Sequence, residues 1–160
     1  MDNRIKELQN LSETYVEIAD QCHREGNIEG AVDMYLNALY VQVQLFSVSS
    51  WKYAKEIAET YTRLGYLRLT QERYDLCQED FQSAKTYRLL QKEFDKESFD
   101  ESCLASCYRN LTVLYYRWEK YPKMREMAEI ALPMYERLAQ EDPDEYNEDV
   151  FYLRLLLGLR

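Results

Sequence analysis

Apolar side chains recur at steps of three and four residues along nearly the whole chain, in long stretches with few interruptions. Because one face of an α-helix repeats about every 3.6 residues, this pattern predicts α-helix throughout. Only four glycines and three prolines occur among the 160 residues, so few loops are expected. Ser50, Ser98 and Asp142 are predicted N-caps, the last followed by Pro143 in the first helical position. The breaks in the pattern predict seven helices: 2–25, 28–46, 51–70, 73–93, 98–119, 122–140 and 143–160.

The pattern also repeats over a longer distance. A tyrosine is followed three residues later by an aliphatic residue and then by a small residue in three places, and a similar aliphatic and small pair follows later. The small residues are Ala19, Gly65, Thr112 and Gly158, which are 46, 47 and 46 residues apart. A second motif begins 12 residues after each of the first three, at Ala31, Cys77 and Met124. This constant offset predicts helix pairs joined by a turn of one length.

These motifs resemble the tetratricopeptide repeat (TPR), with Trp-x-x-Leu-Gly-x-x-Tyr on a first helix and Ala-x-x-x-Phe on a second. The best match is made by Tyr61, Leu64, Gly65, Cys77, Phe81 and Ala84. The period exceeds the usual TPR length by about 12 residues, or roughly three helical turns. The segments Tyr-Glu-Arg-Leu-Ala at 135–139 and Asp-Pro-Asp-Glu-Tyr at 142–146 are similar to extended TPR variants of bacterial proteins.

The resemblance implies an all-α fold, a short right-handed α-solenoid of about three TPR-like helical hairpins plus a C-terminal helix. A single domain over 1–160 is expected. Its units are predicted at 1–48, 49–95 and 96–141, with a capping helix at 142–160. Tyr61, Leu64, Phe81 and Ala84 are expected to form the centre of the core, and Gly65 and Gly158 to occupy positions of close helix packing.

The resemblance also implies a binding surface, because the first helix of each TPR unit lines a concave groove. The first unit would contribute Glu13, Val16, Glu17, Asp20 and His23, and the second Glu59, Thr62, Arg63, Tyr66 and Leu69. The third would contribute Ser106, Arg109, Asn110, Val113 and Tyr116, followed by Arg117. This groove is acidic at its amino end and basic and aromatic in the middle.

The candidate binding residues from this set are Arg63, Tyr66, Arg109, Asn110, Tyr116 and Arg117. TPR proteins that bind a peptide carboxylate use Lys, Arg and Asn at such places, and guanidinium groups bind carboxylates through two hydrogen bonds. The expected partner is therefore a peptide or protein with an acidic or C-terminal carboxylate segment.

Composition and charge exclude several classes of protein. With 46% hydrophobic residues, a packed core is expected instead of a disordered acidic chain. A net charge of −9 argues against nucleic acid and against anionic membrane surfaces, whose affinity depends on Lys and Arg. The first residues are charged where a secretory signal has an apolar run, so a cytoplasmic location is expected. The four cysteines, Cys22, Cys77, Cys103 and Cys107, are then expected to be thiols.

Candidate catalytic and metal-binding groups are sparse. His23 is the single histidine, and adjacent Cys22 points about 100° away from it on a helix, so the two cannot readily share a metal ion. Cys103 and Cys107 could supply two zinc ligands, but no second pair follows. No glycine-rich phosphate loop occurs. We expect no catalytic site, no metal and no cofactor.

The last predicted helix is apolar on nearly every side, with eight apolar or aromatic residues among 150–159. Leu155, Leu156 and Leu159 are expected to form an exposed patch of the kind that marks an interface. The hypothesis is a homodimer through residues 146–160, with docking onto a different protein, or truncation of a longer array, as alternatives. For the whole chain, the prediction is a non-catalytic TPR scaffold that binds a peptide or partner protein, and the alternative is a self-assembling structural protein.

Overall fold

The computed structural model describes residues 2–160, apart from the side chains of residues 49 and 50. Its described residues form seven α-helices and one short 3₁₀ helix, and no strand occurs among them, which confirms the all-α prediction. The α-helices are α1 (Asn3–Arg24), α2 (Ile28–Ser49), α3 (Ala54–Thr70), α4 (Tyr74–Phe94), α5 (Glu101–Arg117), α6 (Tyr121–Glu141) and α7 (Pro143–Leu156), and the 3₁₀ helix is Ser50–Tyr53.

Two of the predicted helix starts are wrong. The segment predicted to open a helix at 51 is the 3₁₀ helix, and α3 begins only at Ala54. The side chain of Ser50, a predicted cap, lies outside the described residues. Helix α5 is capped by Asp100, whose carboxylate accepts a hydrogen bond from the Ser102 N–H at 2.8 Å. The predicted cap Ser98 instead accepts a hydrogen bond from Gln91.

The predicted start of the last helix is confirmed. The Asp142 carboxylate accepts a hydrogen bond from the Glu145 N–H at 3.2 Å, and Pro143 occupies the first turn, where its missing N–H costs nothing.

The chain divides into two compact units, Met1–Ser98 and Phe99–Arg160. In the first unit, α1 packs on α2 and α3 packs on α4; in the second, α6 packs on both α5 and α7. The boundary falls between the second and third predicted repeats.

The small residue of the second repeat permits a close helix approach. A Cβ atom added to Gly65 on α3 would lie 2.4 Å from the ring of Phe81 on α4. In the third repeat the sizes are exchanged, since Thr112 takes the glycine position and Ala128 takes the aromatic one, and both are fully buried. A large side chain on one helix is thus matched by a small one on its partner.

Gly158 does not have the close-packing role that the repeat predicted. It is exposed, its φ is +70°, and a Cβ there would meet no atom within 4 Å. Gly158 lies two residues after Leu156, the last residue of α7, and its N–H donates a hydrogen bond to the Leu155 carbonyl at 3.1 Å. A residue with left-handed backbone in this place is a common helix stop.

The predicted turn of constant length is confirmed, because three residues connect each of α1/α2, α3/α4 and α5/α6. The middle residue of each connector has positive φ: Gly26, Glu72 and Glu119. In each turn the next N–H reaches back five residues to a helix carbonyl, at 2.8–2.9 Å. This is the Schellman arrangement, in which glycine is the usual left-handed residue.

Replacing Glu72 with Gly is expected to stabilise the protein by about 1 kcal/mol, because the left-handed backbone costs a non-glycine residue about 1–2 kcal/mol and glycine regains only part of that in chain entropy. Urea unfolding monitored by circular dichroism measures the change. Gly26→Ala is the matched control and should destabilise the same turn in the first repeat. A destabilised Glu72→Gly variant would show that the Glu72 side chain outweighs its backbone strain.

Candidate functional site

A cleft lies between α1 and α3 in the first unit, with a volume of about 310 Å³. We call it the α1/α3 cleft; its lining residues are Ser12, Glu13, Val16, Glu17, Gln42, Glu56, Glu59, Thr60 and Arg63. Five of these nine, Glu13, Val16, Glu17, Glu59 and Arg63, are residues that the resemblance assigned to the groove. The structure therefore brings five of the ten predicted groove residues of the first two repeats together, whereas Asp20, His23, Thr62, Tyr66 and Leu69 are not part of this lining.

Carboxylates dominate the α1/α3 cleft. Glu13 and Glu17 come from α1, and Glu56 and Glu59 come from α3. The only cationic residue in the lining is Arg63, and its guanidinium lies 3.6 Å from the Asp20 carboxylate. The cleft is therefore negatively charged, and its single guanidinium already has an anionic neighbour.

The pKa of Glu56 reflects this crowding of carboxylates. Burial raises it above its ordinary value, and the negative charges of Glu59 and Glu13 raise it further. Lys52 and Lys55 oppose the rise without cancelling it. A positive charge entering the cleft would relieve this repulsion.

Gln42 on α2 also lines the α1/α3 cleft, although it is only 2% exposed. Its Oε1 atom has no hydrogen-bond partner among the described residues 2–160. The neighbouring polar residue Thr60 differs, since its hydroxyl donates to the Glu56 carbonyl at 3.0 Å. Sequence reasoning missed Gln42 because it lies on the second helix of its repeat, and only the first helices were assigned to the groove.

The other predicted binding residue of the first unit, Tyr66, lies outside the lining of the α1/α3 cleft. Tyr66 is 43% exposed, and its ring meets the Phe81 ring edge to face, with centroids 5.4 Å apart. Tyr66 is therefore a half-exposed aromatic that covers the core residue Phe81.

In the second unit, two of the predicted binding residues are not available to a ligand as expected. Asn110 is only 3% exposed, so it offers almost no accessible surface to a ligand. Arg109 is ion-paired with Asp149 on α7, and its guanidinium carbon lies 5.5 Å from the centroid of the Tyr152 ring. A carboxylate ligand would have to displace the Asp149 carboxylate from Arg109.

Tyr116 and Arg117 at the end of α5 are exposed, as predicted. Tyr116 is 48% exposed, and its ring lies edge to face with that of Tyr121, with centroids 6.4 Å apart. These two residues are the accessible part of the predicted set in the second unit.

Helix α7 and the residues just after it carry an exposed apolar surface, which we call the α7 patch and define as Phe151, Leu155 and Leu159. Their exposed fractions are 70%, 64% and 53%. The expected exposure of Leu155 and Leu159 is thus found, whereas Leu156 is half-buried. Leu153 and Leu157, on the opposite side, are buried in the core of the second unit.

A buried ion pair joins α3 and α4 in the first unit. The Arg68 guanidinium donates to both carboxylate oxygens of Asp80 at 3.0 Å, and Asp80 is 3% exposed. Burial raises the pKa of Asp80 to about 7, although Arg68 opposes the rise. The pair forms part of a second cleft, the α2/α4 cleft, whose walls include Leu36, Tyr40 and Val43 from α2.

The chemistry of the described residues offers no metal centre, since no group of three or more His, Cys, Asp or Glu side chains within 2–160 could hold an ion. All four cysteines are free thiols, with Cys77 and Cys107 buried. No helix in this part of the chain has the length and apolar character needed to cross a membrane.

Comparisons with family models and with curated proteins find no match. Among solved structures, the chain is similar in fold to the crystal structure of BtubC (BKLC) from P. vanneervenii, with a TM-score of 0.70 and 21% sequence identity. The match covers 94% of this chain and 55% of that one, so this chain spans about half of its length. The likeness supports the all-α helical fold.

Proposed function

We propose that the protein is a non-catalytic scaffold of the extended TPR type that binds a peptide or partner protein in the cytoplasm. The observation that carries this proposal is the α1/α3 cleft, where residues from two successive repeats line one open surface. Repeat proteins commonly use such surfaces, formed by equivalent helices of neighbouring repeats, for recognition. Fold alone does not assign function, so the cleft itself has to be tested.

The test is selection of a random-peptide phage library on the full chain, followed by affinity measurements on the enriched peptides. Val16→Trp places an indole ring in the α1/α3 cleft, and should weaken their binding at least tenfold. Val43→Trp makes the same change in the α2/α4 cleft and serves as the matched control. Peptides that bind the two variants equally well, or a library that yields no binder, would contradict the proposal.

Self-association is the second candidate function, and the α7 patch favours it. Three neighbouring large apolar side chains, each more than half exposed, are typical of an interface. The simplest occupant is a second copy, docked through the same surface about a two-fold axis to give a homodimer.

Light scattering at micromolar concentration tests the homodimer. The wild type should have the mass of a dimer, and Leu155→Glu/Leu159→Glu should have that of a monomer because it would bury charge at the contact. Val48→Glu changes an equally exposed apolar residue on α2 and should leave the dimer intact. A monomeric wild type would overturn the dimer while leaving the scaffold proposal unaffected.

A further inference from the structure

One end of the α5/α6 hairpin concentrates positive charge in a chain whose net charge is −9. Residues 116–125 include four cationic side chains, Arg117, Lys120, Lys123 and Arg125, and one carboxylate, Glu119. Arg117, Lys123 and Arg125 are exposed, and Lys120 is half-buried. Because the connector 118–120 joins α5 to α6, all four cations lie at the same end of the hairpin.

These cations have no anionic partner. None of the four forms an ion pair with a carboxylate in the part of the chain that the structure describes. The arginines of the predicted groove differ, since Arg63 pairs with Asp20 and Arg109 pairs with Asp149. The first turn of α6 contains no acidic residue, so the positive end of its helix dipole adds a field of the same sign. The charge at this end of the hairpin is available to an incoming anion.

Aromatic rings hold two of the cations in place. The Lys120 ammonium lies 3.4 Å from the centroid of the Trp118 ring, and the Lys123 ammonium lies 5.6 Å from that of the Tyr115 ring. A ring face attracts a cation without neutralising its charge, so both ammonium groups can still pair with a carboxylate. Side chains that are already ordered lose less conformational freedom when a ligand binds.

Two exposed tyrosines lie among these cations. Tyr116 is 48% exposed and precedes Arg117, and Tyr121 is 53% exposed and follows Lys120. Their rings are in edge-to-face contact. Tyrosine is enriched at protein interfaces, because its ring supplies apolar contact area and its hydroxyl a hydrogen bond. We call this set the α5/α6 surface and define it as Tyr116, Arg117, Lys120, Tyr121 and Lys123.

From these contacts we propose that the α5/α6 surface binds an acidic peptide segment of a partner protein, with carboxylates on its cations and an apolar side chain on its two tyrosines. The proposal goes beyond the scaffold function proposed above, because it assigns a second surface whose residues are not part of the α1/α3 cleft. A peptide is favoured over a nucleic acid, since nucleic-acid binding relies on many phosphate contacts and a net charge of −9 repels a long polyanion.

Nuclear magnetic resonance on the ¹⁵N-labelled full chain tests the proposal with a defined probe, the peptide acetyl-Glu-Glu-Leu-Glu-Glu-amide. Backbone amide signals within residues 116–125 should shift and saturate as the peptide is added. The peptide with glutamine in place of each glutamate has nearly the same shape without the charge, and should bind at least tenfold more weakly. Equal binding of the glutamine peptide, shifts confined to other residues, or tighter binding of a thymidine oligonucleotide would each overturn the proposal.

Variants separate this surface from the net charge of the chain and from the cleft. Arg117→Gln/Lys123→Gln should weaken binding of the acidic peptide at least fivefold and leave the melting temperature unchanged, because both side chains are exposed. Arg4→Gln/Lys6→Gln removes the same charge from exposed positions of α1 and is the matched control. Equal weakening by the two double variants would overturn the proposal. Val16→Trp in the α1/α3 cleft should not change binding of the acidic peptide; a loss would place the peptide in the cleft, overturning this proposal and leaving the scaffold function standing.

Discussion

Phe81→Ala is expected to lower the free energy of unfolding by about 3–5 kcal/mol, the cost of removing a large buried side chain together with the cavity that it leaves. Phe81 is 1% exposed, and its ring meets Tyr66 and the backbone of Gly65. Urea unfolding followed by circular dichroism measures the loss. Tyr40→Ala also removes an aromatic ring, at a residue that is 73% exposed, and should alter stability by less than about 0.5 kcal/mol. Similar losses in both variants would show that the repeat frame is wrong.

Because Gly65 packs against Phe81, the effect of Gly65→Ala on stability should depend on whether the Phe81 ring is present. Alone, Gly65→Ala gains about 1 kcal/mol of helix propensity but drives a Cβ to 2.4 Å from a ring with no room to move, which should cost more than that gain. In the Phe81→Ala background the same Cβ enters the new cavity, and Gly65→Ala should become stabilising. A double-mutant cycle measures this reversal in the sign of the stability change. The double variant would resemble the third repeat, where a larger residue, Thr112, takes the glycine position and a smaller one, Ala128, takes the aromatic position.

Asp80→Ala is expected to cost about 3–5 kcal/mol at pH 8, because it leaves the Arg68 guanidinium buried without its partner. Arg68 and Asp80 are both largely inaccessible, with 13% and 5% of their side chains exposed. The double variant Arg68→Met/Asp80→Leu removes both charges and should recover most of the loss. A double variant as unstable as Asp80→Ala would show that packing, and not the uncompensated charge, causes the effect.

The raised pKa of Asp80 predicts how stability varies with pH. Its folded value of about 7 lies above the ordinary 3.8, so the folded state holds the proton more tightly between these values. This contribution to stability is complete below about pH 4 and is lost as the pH rises through 7, with a slope of at most about 1.4 kcal/mol per pH unit. The free energy of unfolding should therefore fall more between pH 5 and pH 8 in the wild type than in Asp80→Asn. Equal changes would exclude Asp80 as the titrating group.

The repeat frame could be predicted because it depends on local periodicity. The spacing of Ala19, Gly65 and Thr112 located three buried positions, and the constant offset located three connectors of equal length. Gly158 kept the spacing but not the role, since a glycine satisfies a close-packing position and a left-handed helix stop equally well. Sequence alone does not distinguish these two uses.

The details of the candidate site depended on tertiary distances that spacing does not contain. Periodicity placed Arg63 and Arg109 on the first helices of their repeats. It did not show that Asp20 on α1 and Asp149 on α7 lie close enough to pair with them. The environment of Gln42 could not be predicted either. The local sequence pattern does not show whether a glutamine is buried with a hydrogen-bond partner or without one. The acidic character of the groove near its amino end was visible in the sequence, and the structure extends it to Glu56.

The identical connectors inside the hairpins have a consequence for protein engineering. Each connector closes through two backbone hydrogen bonds around one left-handed residue, so an inserted residue would open that closure. The turn at 96–98 has no left-handed residue, and its residues are exposed and lie at the boundary between the two compact units. It is closed by one backbone hydrogen bond, from the Ser98 N–H to the Asp95 carbonyl at 3.2 Å. A tag, a fluorophore or a foreign loop inserted between Lys96 and Glu97 should therefore be tolerated better than one inserted in a hairpin connector.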